Sequence, residues 1–584
     1  MLNRWWSSSI VIAALVCAAS GANMAHAQFS ENFDFGNWQG WGFDAPMGGV
    51  GWGMDASPGT FPSGVSRSGS SLNYNNGTDY GGGCNGGGAI TPIINITGVA
   101  GPMLQFWCNY NTETRSTTYD RRSVQIWNAA GTTMITEWQL ASVGYTFNRL
   151  GGITGVGPGP CGEAYTDLET GAPVTAWHVH QVHLDPAWGQ IRIRFVFWTV
   201  DSLRNGYAGW AIDDMVVGSN PTGAPTAWPD NSPDTTTLDG DGNELDICQR
   251  VAGNLLRWSW GCSNHTGDPG VHMIIGNNSA SILHESFMYF DTNHGHYHMS
   301  QYSDFSLYRQ QAFGLQKVAR GPKRSYCLTD IDQVGAGPSI SPGCNDIFQA
   351  ISYNWQDVYA LGTSGQEINV AGLPTGVAYY LIGIIDPLNR LRETNEMNQT
   401  DQIQFTLNAT TGQVPIINRV NPFPPTATAL TITSATVGTF QGVPAVNVIG
   451  TGFDTTLIPV MYDVGTAVAE APMFTIVSTT SIWVNVPMGI TTPGSIDLIR
   501  ARGDATSFRI GAGAPVACPA PGLPTLGVPG GGGSTGRDND DKKGPAFFND
   551  YCSSSVPGGL MFQGVAMILA LGFCVAGALA FLRR

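Results

Sequence analysis

The sequence predicts a multidomain all-β protein, and three observations carry that reading. Only 12 % of the 584 residues are charged, while Gly (76) and Pro (35) are abundant. Helical bundles need Lys, Glu, Ala and Leu at helical spacing, whereas turn-rich β-modules do not. Short apolar stretches with strand-like patterning recur, as at 191–200, 446–449 and 482–486. The chain exceeds what one core can hold, so three or four domains are expected.

Both ends point out of the cytoplasm. Arg4, the apolar stretch 10–19 and the small residues of Ala25-His26-Ala27 read as a secretory signal, 1–27. Residues 560–582 are apolar apart from Gln563 and about as long as a bilayer requires. Arg583-Arg584 follow as a cytoplasmic stop would, so a transmembrane helix or a removable sorting segment is expected. Of the eleven Cys, Cys17 and Cys574 lie in these end segments. The other nine suit disulfides in an oxidising compartment, with one left over. Net charge is −16 and no run of Lys or Arg occurs, which excludes the basic stripe that a nucleic-acid partner needs.

The internal organisation follows composition. Residues 28–219 are rich in Trp and Gly and close on Gly209-Trp210-Ala211-Ile212-Asp213-Asp214, which resembles the last strand of jelly-roll adhesion modules in secreted bacterial proteins. Residues 220–238 form a Pro-marked linker (Pro221, Pro225, Pro229, Pro233). Asp239-Gly240-Asp241-Gly242-Asn243 reads either as a shortened calcium loop or as an ordinary Asp-Gly turn. A central domain is expected at 239–408 and a second linker at 415–430. Residues 431–512 carry Gly450-Thr451-Gly452-Phe453 after a Val-rich strand and resemble an immunoglobulin-like sandwich. Residues 513–559 are expected to be a disordered stalk.

Only ten His occur, yet three fall in His294-Gly295-His296-Tyr297-His298. On a strand, positions i, i+2 and i+4 share one face, which lines up three imidazoles. Imidazole suits Cu(II), Zn and Ni, and Cu(II) tops the divalent order. The bland alternative is three solvent-facing His. In a second cluster, His178-Val179-His180-Gln181-Val182-His183, only His178 and His180 share a face, and surface histidines are expected there.

The first cluster has company. It is followed by Tyr302-Ser303-Asp304-Phe305-Ser306-Leu307-Tyr308, then Gly321-Pro322-Lys323-Arg324-Ser325-Tyr326-Cys327-Leu328-Thr329-Asp330. Next come Ser341-Pro342-Gly343-Cys344, Asn354-Trp355-Gln356-Asp357-Val358, and Ile385-Asp386-Pro387 before Glu393-Thr394-Asn395. In this order the motifs resemble the lysyl oxidase family, over about 160 of the 584 residues.

The resemblance implies a β-sandwich with copper on His294, His296 and His298, and Lys323 as the lysine half of a lysine tyrosylquinone. It implies oxidation of peptidyl lysine or small primary amines to aldehydes, with hydrogen peroxide and ammonia released. The expected tyrosine is replaced, because the Cys-x-Asp-x-Tyr pattern reads Cys344-Asn345-Asp346-Ile347-Phe348. Tyr353, five residues on, is the candidate substitute; otherwise the domain keeps copper without the quinone and serves surface adhesion. The family's calcium site maps onto Glu393, Asn395, Asn398 and Gln399, where a capped turn is the alternative.

Overall fold

The computed structural model describes most of residues 27–524. Residues 1–26, 141–161, 220–230, 235–246, 277–287, several shorter loops and everything beyond 524 lie outside the described residues. The expected signal, the calcium-like turn at 239–243 and the hydrophobic segment 560–582 fall, wholly or nearly so, in that remainder. Among the described residues the protein is strand and loop, apart from one 3-10 turn at Pro186–Trp188. No helix there is long and apolar enough to cross a membrane.

The N-terminal module is a sandwich of a seven-stranded and a six-stranded sheet. Gly209–Ser219 lies between Pro102–Asn111 and Ser71–Tyr74 in the first, and Gln190–Trp198 between Gly86–Ile90 and Arg121–Asn128 in the second. Strand alternation sends Ile191, Ile193, Phe195 and Phe197 inward, where they meet Phe106, Trp210 and Ile212 of the facing sheet.

His180 corrects one expectation. It is buried rather than a surface residue, stacked on Phe106 with its Nε2 2.8 Å from Cys108 Sγ.

The central module packs Trp258, Trp260, Phe305, Leu381 and Phe405 into its own core. Its strands Ala378–Ile385, Ser303–Gln311 and Gly314–Arg320 then continue straight into the C-terminal module. Leu315 pairs with Ile476 and Gln316 with Thr475, giving one nine-stranded sheet. A second four-stranded sheet covers the C-terminal half, and the core between them mixes Tyr308, Leu315 and Ile382 with Val446, Phe474 and Leu498. Gly314 makes the junction feasible: its φ is +139° and a Cβ there would collide with the carbonyl of Ile476.

The expected linkers are therefore partly structure. Asn231–Asp234 pairs with Trp260–Asn264, and Ile416–Asn418 pairs with Thr400–Thr406. The expected stalk also starts later than 513. Ala517 bridges to Asp201, the Cys518 N–H donates to the Val200 carbonyl at 2.8 Å, and Cys518 is disulfide-bonded to Cys84. Beside that bond Arg509 Nε donates to Glu113 Oε1 at 2.7 Å, and Arg509 also pairs with Asp201, all three buried. These contacts are between residues far apart in sequence, so composition alone reads the segments as spacers. Cys262 keeps a thiol, buried and 2.6 Å from Tyr302 Oη.

Candidate metal centre

The histidine cluster sits on a hairpin between Met288–Asp291 and His296–Met299, with Asp291 opposite His296. The strand begins at His296, not His294. His294 stands in the turn, which Gly295 closes with φ +74°. The turn still brings the three rings together: centroids are 5.9 Å apart for His294–His296, 5.1 Å for His294–His298 and 4.8 Å for His296–His298.

Asp291 is the residue that the sequence reading missed. Its Oδ2 lies 2.5 Å from His294 Nδ1 and 3.3 Å from His298 Nδ1, and its side chain is 1 % exposed. A carboxylate on Nδ1 fixes the tautomer and leaves Nε2 as the electron-pair donor. The only sequence signal was an acid three residues before the first His.

His298 Nε2 and His296 Nε2 are 3.0 Å apart. Two nitrogens on one ion at ~2.0–2.1 Å, roughly at right angles, stand about 3 Å apart. The His296 and His298 nitrogens are therefore spaced as two neighbouring ligands of one copper(II) ion, and His294 with Asp291 and His298 forms an adjoining group of candidate ligands. Burial, then the nearby Lys323 charge, presses His298 down to about 3, while Asp291 pulls the other way. His296 is lowered too, by burial first. Burial thus favours the neutral form of His296 and His298, as metal ligation requires.

The lysine segment is zipped to this hairpin. Met299 and Tyr326 exchange backbone hydrogen bonds of 2.7 and 3.2 Å, and Ser303 N–H donates to the Arg324 carbonyl at 3.2 Å. Gln349 ties the two further, donating to the Tyr297 carbonyl at 2.5 Å and accepting from Leu328 N–H at 3.0 Å. Lys323 is thus buried, with its Nζ 4.9 Å from the centre of the Tyr326 ring.

The ring beneath Lys323 is Tyr326 rather than Tyr353. Tyr353 is half-buried and its N–H donates to His272 Nδ1 at 3.2 Å. Phe348 opens the strand Phe348–Ile351 opposite Gly276, and a phenylalanine has no phenol oxygen. The residues at the expected positions do not fit a lysine–tyrosine quinone of the family pattern.

At the expected calcium turn, Glu393 and Gln399 come together and are buried, with Gln399 Nε2 donating to Glu393 Oε2 at 3.3 Å. Asn395 Oδ1 accepts from Met397 N–H at 3.0 Å, as in a capped turn. Asn398 is half-buried beside them.

Residues 275–416 match the family model described as Lysyl oxidase. The matched stretch holds the hairpin, Lys323, Phe348, Tyr353 and the Glu393 turn. No curated protein matches the chain. Among solved structures, the chain is similar to the K1 cleaved adhesin domain of Lys-gingipain from Porphyromonas gingivalis W83. That match has 18 % identity and a TM-score of 0.21, covering 33 % of this chain and 98 % of the other. The glycoside hydrolase domain of Endo-D from Streptococcus pneumoniae R6 gives 8 % identity, a TM-score of 0.18 and coverages of 65 % and 44 %, so under half of that chain is spanned. The tandem CBM22 domains of Xyn10C from Paenibacillus barcinonensis give 11 %, 0.18, and 60 % and 89 %.

Proposed function

We propose that the protein is a lysyl-oxidase-like, copper-binding protein displayed outside the cytoplasm. One observation carries the reading: three imidazoles converge beside a buried carboxylate that is hydrogen-bonded to His294 and 3.3 Å from His298, inside the stretch matching the lysyl oxidase family. His294, His296 and His298 hold the ion. Copper bound there supplies one-electron redox chemistry and Lewis acidity. Asp291 orients, and Gln349 with the Met299–Tyr326 pairing keeps the lysine segment against the hairpin. The signal-like start and the hydrophobic tail favour export and anchoring, and the flanking sandwiches favour an adhesive role.

A second reading adds catalysis: oxidation of peptidyl lysine or other primary amines to aldehydes, with oxygen reduced to hydrogen peroxide. The buried Lys323 facing Tyr326 favours it, and Phe348 opposes it. Calcium at the Glu393 turn belongs to the same reading. The test is made on the copper-loaded full chain. Metal uptake that is lost in the triple His→Ala variant supports the binding reading, and uptake unchanged by it rejects that reading. Quinone staining with amine-dependent peroxide release supports catalysis, and their absence leaves a binding protein.

A further inference from the structure

Beside the histidine hairpin, a disulfide and one imidazole form a second convergent group. Cys327 and Cys344 are bonded, with Cα atoms 5.7 Å apart. A ring nitrogen of His296 lies within 4.8 Å of both sulfurs. While the bond is closed the sulfurs carry no charge and are poor ligands, because thiolates are what bind metals. Cys344 is exposed while Cys327 is buried, so an incoming thiol has one open sulfur to reach.

Contacts other than the bond hold the Cys327 segment and the stretch that leads to Cys344. Tyr359 Oη donates to the Cys327 carbonyl at 2.8 Å, and Leu328 N–H donates to Gln349. On the other side Asp330 Oδ2 accepts from Ile340 N–H at 3.2 Å and from Ser341 N–H at 3.1 Å, anchoring the approach to Cys344.

We propose that Cys327, Cys344 and His296 form a second, redox-gated site for a thiophilic ion such as Zn(II) or Cu(I), open only when the disulfide is reduced. Opening is thiol–disulfide exchange with a small-molecule thiol. One thiolate attacks a protein sulfur and gives a mixed disulfide. A second equivalent releases it, leaving two cysteine thiols and the reductant as its own disulfide, a two-electron, two-proton change. Metal binding then expels the two thiol protons. Tetrahedral bonds of ~2.3 Å put two sulfurs roughly 3.8 Å apart, a spacing that side-chain torsions reach from Cα atoms 5.7 Å apart. Soft sulfur donors select ions that the imidazole triad does not favour. Since His296 belongs to both sets, the two sites exclude each other, and the disulfide decides which is available. The sulfur site itself does not rest on the copper reading; only the mutual exclusion does.

Cobalt(II) is the probe. The full chain is reduced with a water-soluble phosphine, the phosphine is removed, and Co(II) is titrated in. The proposal expects a near-ultraviolet sulfur-to-cobalt absorption band that is absent from the oxidised chain, bleached by Zn(II) and lost in Cys344→Ser. In His294→Ala the band persists even though that variant is expected to be impaired in copper uptake, so failure of one reading is distinguishable from failure of the other. A reduced chain with the added thiols titrated but no band overturns the proposal, as does a band that survives in Cys344→Ser. Loss of the strand signal in far-ultraviolet circular dichroism on reduction also overturns it, because the site needs the hairpin and loop to stay folded.

Discussion

Asp291 Oδ2 lies 2.5 Å from His294 Nδ1, so a buried carboxylate on the outgoing strand orients an imidazole in the turn. The same oxygen reaches His298 from across the hairpin. Asp291→Asn keeps the shape and removes the charge. Orienting partners of this kind contribute about 10–100-fold to metal affinity. A competition titration should find copper bound that much more weakly with the fold intact; unchanged affinity would place Asp291 outside the site.

Asp357 gives the central domain a pH signature. Burial raises its carboxyl from 3.8 to about 7, against hydrogen bonds from Tyr359 Oη at 2.7 Å and Thr329 N–H at 3.3 Å. A raised carboxyl binds its proton more tightly when folded. Its contribution is therefore present at low pH and is lost as pH climbs from about 4 to about 7, with no further change above. Denaturant titrations across that window should show a shallower slope for Asp357→Asn than for the parent.

Gly314 joins the central and C-terminal sheets at a backbone angle reserved for glycine. Gly314→Ala forces either that strand or Phe474–Ser478 to move. The expected loss exceeds about 1 kcal/mol, read as a lower melting temperature, whereas Gly438→Ala, which meets only ring atoms of Trp483 at van der Waals distance, should cost less.

Arg509 ties the C-terminal sandwich to Glu113 and Asp201 of the N-terminal one. Removing one partner of a buried pair typically costs about 3–5 kcal/mol. Arg509→Met should lose stability of that order in chemical denaturation, and Arg509→Met with Glu113→Gln should recover part of it.

The all-β class was legible because strand period and turn composition are local properties. The three histidines were legible for the same reason, and their register was not: a turn, rather than an extended strand, presents His294. Asp291 escaped because its relation to His296 and His298 exists only once the hairpin forms. The merging of the modules escaped because Leu315–Ile476, Arg509–Glu113 and Cys84–Cys518 join residues far apart in the chain. His180 reads as a surface residue in a His-rich strand, and only the packing against Phe106 and Cys108 shows otherwise. Lys323 gained meaning from the order of motifs around it, while its stacking on Tyr326 exists only once the chain is folded.

Anomalous diffraction at the copper edge, from crystals of the copper-loaded chain, tests the central claim most directly. The account predicts one strong peak at bonding distance from nitrogens of His294, His296 and His298. A peak elsewhere, or none in that cluster at full copper loading, would contradict it.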